Sequence, residues 1–117
     1  MKNKEYVSFI KMKEYIDKAI RYVSGYNFEK FCKDEKTVDA TIFAISQIGE
    51  LVKNISKETM NKYNNIEWNM IKGLRNRIVH DYEGISLKSI WFVVENDLIE
   101  LKENVQKILD EEKMNGY

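Results

Sequence analysis

The sequence predicts an all-α fold, an up-and-down four-helix bundle with room for a short extra helix. Three observations carry this. The 117 residues contain no proline and five glycines, too few turn formers for a chain of short β-strands. Apolar residues recur at helical spacing along four long segments. The connections between those segments are short, which sets consecutive helices side by side. With 44% hydrophobic and 12% aromatic residues, the chain can bury one core, so residues 1–117 read as a single domain.

The elements follow in order. Phe9, Met12, Ile16, Ala19 and Val23 step by 3, 4, 3 and 4, one stripe of a first helix that Ser24-Gly25 ends. Asn27 to Cys32 reads as a short helical turn. A second long helix is expected from about Asp34 to Met60, with Val38, Ile42, Ala44, Ile45, Ile48, Leu51, Val52 and Ile55 forming a face wide enough for more than one neighbour. Asn61 to Asn65 breaks the pattern. A third helix is expected from about Ile66 to Asp81, its buried side supplied by Ile66, Met70, Leu74, Ile78 and Val79. Ser86 reads as the N-cap of a fourth helix that carries Leu87, Trp91, Val94, Leu98, Leu101, Val105 and Ile108. Those three heptads suit a core and also a seam between two copies, and a homodimer is expected. The polar end, DEEKMNGY, is expected to fray. Cys32 and the methionines read as packing residues.

Composition excludes several function classes. Lys plus Arg and Asp plus Glu both number 19, so nucleic acid cannot be held by bulk charge and any contact needs a local basic patch. Lys53, Lys57, Lys72 and Arg77 could supply one, with Lys53 and Lys72 as the RNA-binding candidates; the abundant glutamates nearby favour ordinary surface charge for the same residues. One cysteine and one histidine, Cys32 and His80, rule out an internal disulfide and any site needing two histidines or several cysteines from one chain. No metal or cofactor is expected. No apolar run approaches the ~20 residues of a membrane span, and the N-terminus has no stretch suited to a signal peptide. The expected setting is soluble, reducing and cytoplasmic.

The segment GLRNRIVHDYEG, Gly73 to Gly84, concentrates chemistry. Asn76 and Arg77 lie four and three residues before His80 and share its side of a helix, whereas Arg75 stands about 140° round it. RNA carries its own nucleophile, the 2′-hydroxyl. An enzyme acting on it needs a group that moves protons near neutrality, which suits His80, and a cation for the charge on phosphate oxygens, which suits an arginine fork. Asn76 can orient the imidazole or contact phosphate. A single histidine is thin for both acid and base roles, and two copies meeting at one cleft would supply two. The same spacing also describes a solvated helix face whose histidine caps the C-terminus. Glu50, on the second helix, reads as a structural acid for Arg75 or Arg77.

Arg75-Asn76-x-x-x-His80 resembles the R-x4–6-H motif of the HEPN superfamily, and with Tyr82 it becomes the R-x4-H-x-Y form of the HepT branch. The resemblance extends to ATIFAISQIGELVKNIS, Ala40 to Ser56, and to Ile66-Glu67-Trp68, and covers roughly Met12 to Leu109. Glu67 departs from a family proline at a helix start. The resemblance implies a helical homodimer that cuts RNA without metal, as the toxin of a type VII-like toxin–antitoxin pair whose antitoxin is a MntA-like nucleotidyltransferase. It implies Arg75 and His80 as the catalytic pair, supported by Asn76 and Arg77, and Tyr82 as a tyrosine that the antitoxin AMPylates. A non-catalytic HEPN module binding RNA, a nucleotide or a nucleotidyltransferase is the alternative.

Overall fold

The structure, a computed structural model, describes residues 1–116. Its described residues form helices and connecting turns, and no helix among them is long and apolar enough to cross a membrane.

Helix α1 (Asn3–Tyr22) buries Phe9, Met12, Ile16 and Ala19 completely, and it ends before Gly25, whose φ of 80° only glycine adopts freely. Helix α2 (Phe28–Lys33) is capped by Asn27, whose side chain accepts from the Lys30 amide at 2.8 Å. Its Phe31 packs 5.2 Å from the Trp91 ring. Helix α3 (Glu35–Val52) begins at Asp34, which accepts from the Thr37 amide at 3.1 Å and from the Tyr26 hydroxyl at 2.6 Å.

The expected helix from Asp34 to Met60 is two helices. After α3, Ser56 starts α4 (Lys57–Lys62) by accepting from the Thr59 amide at 3.2 Å, and its own amide donates to Glu5 Oε1 at 2.7 Å. One bond within the segment and one to α1 thus satisfy the backbone at the break, while Ile55 stays buried beside them. The Asn61–Asn65 break therefore begins later, after Lys62. Trp68 opens α5 (Trp68–His80), and its indole N–H donates to the carbonyls of Met60 and Tyr63, groups the end of α4 leaves free. Helix α5 is shorter than expected at both ends. A 3-10 turn, Tyr82–Gly84, follows it. Ser86 then caps α6 (Leu87–Phe92), which runs through a π-helical segment, Val93–Asp97, into α7 (Leu98–Met114). Buried Ile90, Val94 and Leu98 step by four across the widened π turn.

The C-terminal tail does not fray as expected. Helix α7 continues to Met114 because Glu112, 3% exposed, accepts from the Tyr63 hydroxyl at 2.7 Å and from Lys62 at 3.1 Å; Tyr117 lies outside the described residues. Helix α1 packs along α3 and α7, and α3 packs along α5. The fourth side stays open: a groove of about 340 Å³ lies between α5 and the α6–α7 rod, floored by Ile45 and Ile48 of α3. That opening leaves Met70 exposed, against expectation, and Val79 is exposed as well. Cys32 and Met114 are also exposed, so neither is the packing residue the sequence suggested.

Candidate active site

Two contacts fix α5 on α3. Near the middle of α5, Arg75 crosses Gly49. A Cβ at Gly49 would stand 2.7 Å from Arg75 Cγ and overlap Arg75 Cβ, so the small residue is what lets the helices approach. Past the end of α5, the Tyr82 hydroxyl donates to Asp39 Oδ1. Glu50 and Asp39 are 11 residues apart on α3, about three turns, and so share one stripe. Because Arg75 meets the later end of α3 and Tyr82 the earlier one, the two helices run antiparallel.

Arg75 is held rather than loose. Its Nε donates to Glu50 Oε1 at 2.5 Å, its Nη2 pairs with the same oxygen, and its Nη1 donates to Asn76 Oδ1 at 3.1 Å. The other Glu50 oxygen pairs with Lys53 at 3.1 Å. The hydrogen bond from Lys53, followed by that from Arg75, holds the Glu50 carboxyl below its ordinary value. The Arg75 side chain keeps 18% of its surface open. Glu50 thus fixes one edge of the guanidinium and leaves part of the fork to meet an anion.

His80 is the last residue of α5 and is exposed, one residue before Asp81 ends the helix with φ −148° and ψ 52°. Arg77 stands apart from Arg75. It lines the groove towards α6 with Gly73, Leu74, Lys88 and Phe92. The polar set expected along one edge of the third helix is therefore divided between the α3 side and the α6 side, and Tyr82 lies beyond the helix in the 3-10 turn. Gly84 gives that turn its shape: a Cβ there would press on the Asp81 carboxylate, 2.7 Å from its Cγ. Lys72 is exposed, and Lys53 is engaged with Glu50.

Sequence reasoning missed Asp39. Its hydrogen bond, then burial and the charges of Asp39 and Glu35, push the Tyr82 phenol up to about 12. The signal was the 11-residue spacing from Glu50, which only acquires meaning once α5 is known to lie against α3. Phe43, 58% exposed, stands on the same stripe between Asp39 and Glu50, its ring edge-to-face with Tyr15 of α1 at 6.5 Å.

The arrangement is a cation set by a carboxylate, an open imidazole on the same helix, and a tyrosine at its end. The family described as "Ribonuclease HepT-like" matches residues 12–108, a span that holds every one of these groups. This chain belongs to the ribonuclease HepT-like family. Among similar proteins, one from Caldanaerobacter subterraneus subsp. tengcongensis named "Putative RNase" is 36% identical, over 80% of this chain and 84% of the relative. One of the same name from Methanocaldococcus jannaschii is 35% identical, over 87% and 84%. "Probable ribonuclease HepT" from Thermococcus cleftensis is 31% identical, over 81% of this chain and 90% of that protein. No solved structure matched the chain. The HepT-like match runs from Met12 in α1 to Ile108 in α7, so it takes in the bundle and not the motif alone.

Proposed function

We propose that this HepT-like chain is an endoribonuclease that cuts RNA without a metal ion, with Arg75 and His80 as its catalytic pair. The observation that carries the reading is Arg75: a guanidinium clamped by Glu50 over Gly49, with part of its fork still open, on the helix that presents an exposed His80. The RNA 2′-hydroxyl attacks the adjacent phosphorus, an imidazole moves the proton, and Arg75 stabilises the charge on the phosphate oxygens. The product is a 2′,3′-cyclic phosphate. Asn76 holds the guanidinium plane, Lys72 adds exposed positive charge, and Arg77 supports the site from the groove between copies.

The enzyme acts as a homodimer, which brings two His80 residues to one cleft. The open groove favours that pairing. Its centre is apolar, with Met70 and Phe92 exposed; one end carries Glu67, Asp97 and Glu100 and the other Arg77 and Lys88. A two-fold axis through such a patch lays the acidic end of one copy on the basic end of the other. The chain is the toxin of a type VII-like toxin–antitoxin pair. Its MntA-like nucleotidyltransferase antitoxin silences it by AMPylating Tyr82, which places a bulky anion two residues from His80.

The test is RNA cleavage by the purified chain in the presence of EDTA. Wild type should cut and leave cyclic-phosphate ends. His80→Ala and Arg75→Ala should each lose at least ~100-fold while remaining folded dimers. Equal cleavage by wild type and His80→Ala would assign the activity elsewhere and leave a binding module.

A further inference from the structure

The geometry points to Asp39 as the group that positions the Tyr82 hydroxyl and accepts its proton when that oxygen attacks phosphorus. This rests on the reading of Tyr82 as a nucleotidylation site. Tyr82 is 46% exposed, so its ring edge is accessible, yet its hydroxyl is not free to rotate: it donates to Asp39 Oδ1 on α3. The hydrogen therefore points at a carboxylate, and the oxygen lone pairs face away from it. Asp81 and Gly84 shape the turn that brings the hydroxyl to α3. Unaided, the phenol is a poor nucleophile at neutral pH, the more so because the hydrogen bond to Asp39, burial and nearby Glu35 oppose loss of its proton to water. A base already in hydrogen-bond contact removes that obstacle at the moment of attack.

The step balances as follows. Tyr82 Oη attacks the α-phosphorus of a nucleoside triphosphate held by the transferase. The Oη–P bond forms, the bond from that phosphorus to the bridging oxygen breaks, and pyrophosphate leaves. The phenolic proton passes to Asp39, which returns it to water. The new phosphodiester then faces the carboxylates of Asp39 and Glu35, and like charge drives the adduct off α3.

The experiment uses the full chain with the purified nucleotidyltransferase of its pair, magnesium and ATP, followed by intact mass. Asp39→Asn keeps the shape and an acceptor oxygen but removes the base, so kcat for nucleotidyl transfer should fall about 100-fold with KM for the chain unchanged. Asp39→Glu restores a carboxylate and should recover about tenfold or more of that loss. Circular dichroism of each variant should match wild type. A purely structural Asp39 would raise KM or melt the chain without this split, and that result would overturn the assignment, as would Asp39→Asn reacting at the wild-type rate. Wild type and Tyr82→Phe both remaining unmodified would instead overturn nucleotidylation itself and this inference with it.

Discussion

Gly49→Ala is the substitution that most directly couples this fold to its chemistry. The added methyl would overlap Arg75 Cβ, stand 2.7 Å from Arg75 Cγ, and lie 3.4 Å from the Ile71 carbonyl oxygen. Arg75 Cβ is fixed to the α5 backbone and cannot rotate aside, so α5 must move away from α3. Overpacking costs about 1–3 kcal/mol, and overlap with an atom that cannot rotate aside puts this site in the upper part of that range, about 2–3 kcal/mol. Alanine returns up to about 1 kcal/mol of helix propensity inside α3. The net loss is about 1–2 kcal/mol, or a fall in Tm of roughly 4–10 °C for a domain of this size. The larger effect falls on activity. Moving Arg75 away from Glu50 loosens the guanidinium, and a displacement of about 1 Å can cost 100-fold in rate. Thermal unfolding followed by circular dichroism, with RNA cleavage at a temperature where the variant is fully folded, reads both. A variant that melts and cleaves like wild type would refute the close approach of α3 and α5 at this point. Gly73→Ala is the matched control. It sits inside α5, where an added Cβ meets nothing within 4 Å in the single chain, so the same change should raise the stability of the monomer by about 0.5–1 kcal/mol.

Further expectations rest on the buried acids. Glu5 is 4% exposed; burial would raise its carboxyl, but hydrogen bonds from the backbone amides of Ser56 and Lys2 outweigh this and bring it down to about 2 from 4.5. A depressed carboxyl stabilises the fold above its unfolded value and loses that contribution as pH falls from 4.5 towards 2. Glu5→Gln should therefore cost about 3 kcal/mol in urea unfolding at pH 7, and the gap from wild type should nearly close at about pH 2. Tyr63→Phe removes the hydroxyl that holds buried Glu112. It should destabilise by about 1–3 kcal/mol and expose α7 to earlier proteolysis at its C-terminal end. Glu50→Ala should leave helicity intact and slow RNA cleavage, since Arg75 loses the partner that orients it. Cleavage at the wild-type rate would separate Glu50 from the site.

The sequence alone determined the all-helical class, the places where α2, α3 and α6 begin, and the segment from Gly73 to Gly84 on which the proposed site rests. Helix periodicity and caps are local, so the α1 stripe, the short helical turn from Asn27, the Ser86 cap, and the four-residue spacing of Asn76 and His80 could be read from neighbours in the chain. The break at Ser56 and the ordered end of α7 escaped because each depends on a residue about 50 positions away, Glu5 for one and Tyr63 for the other. Burial in the third helix was misjudged for a related reason. Met70 has the right spacing, yet the bundle leaves its fourth side open; Val79 stands about 180° round α5 from it and is exposed as well, and spacing cannot say which apolar face finds a neighbour. Only the tertiary structure decided that Arg75 belongs with Glu50 and Gly49 on α3, that Arg77 turns towards α6, and that Tyr82 reaches Asp39. Side-chain direction follows from which helices pack against one another, and that is settled by surfaces distant in sequence.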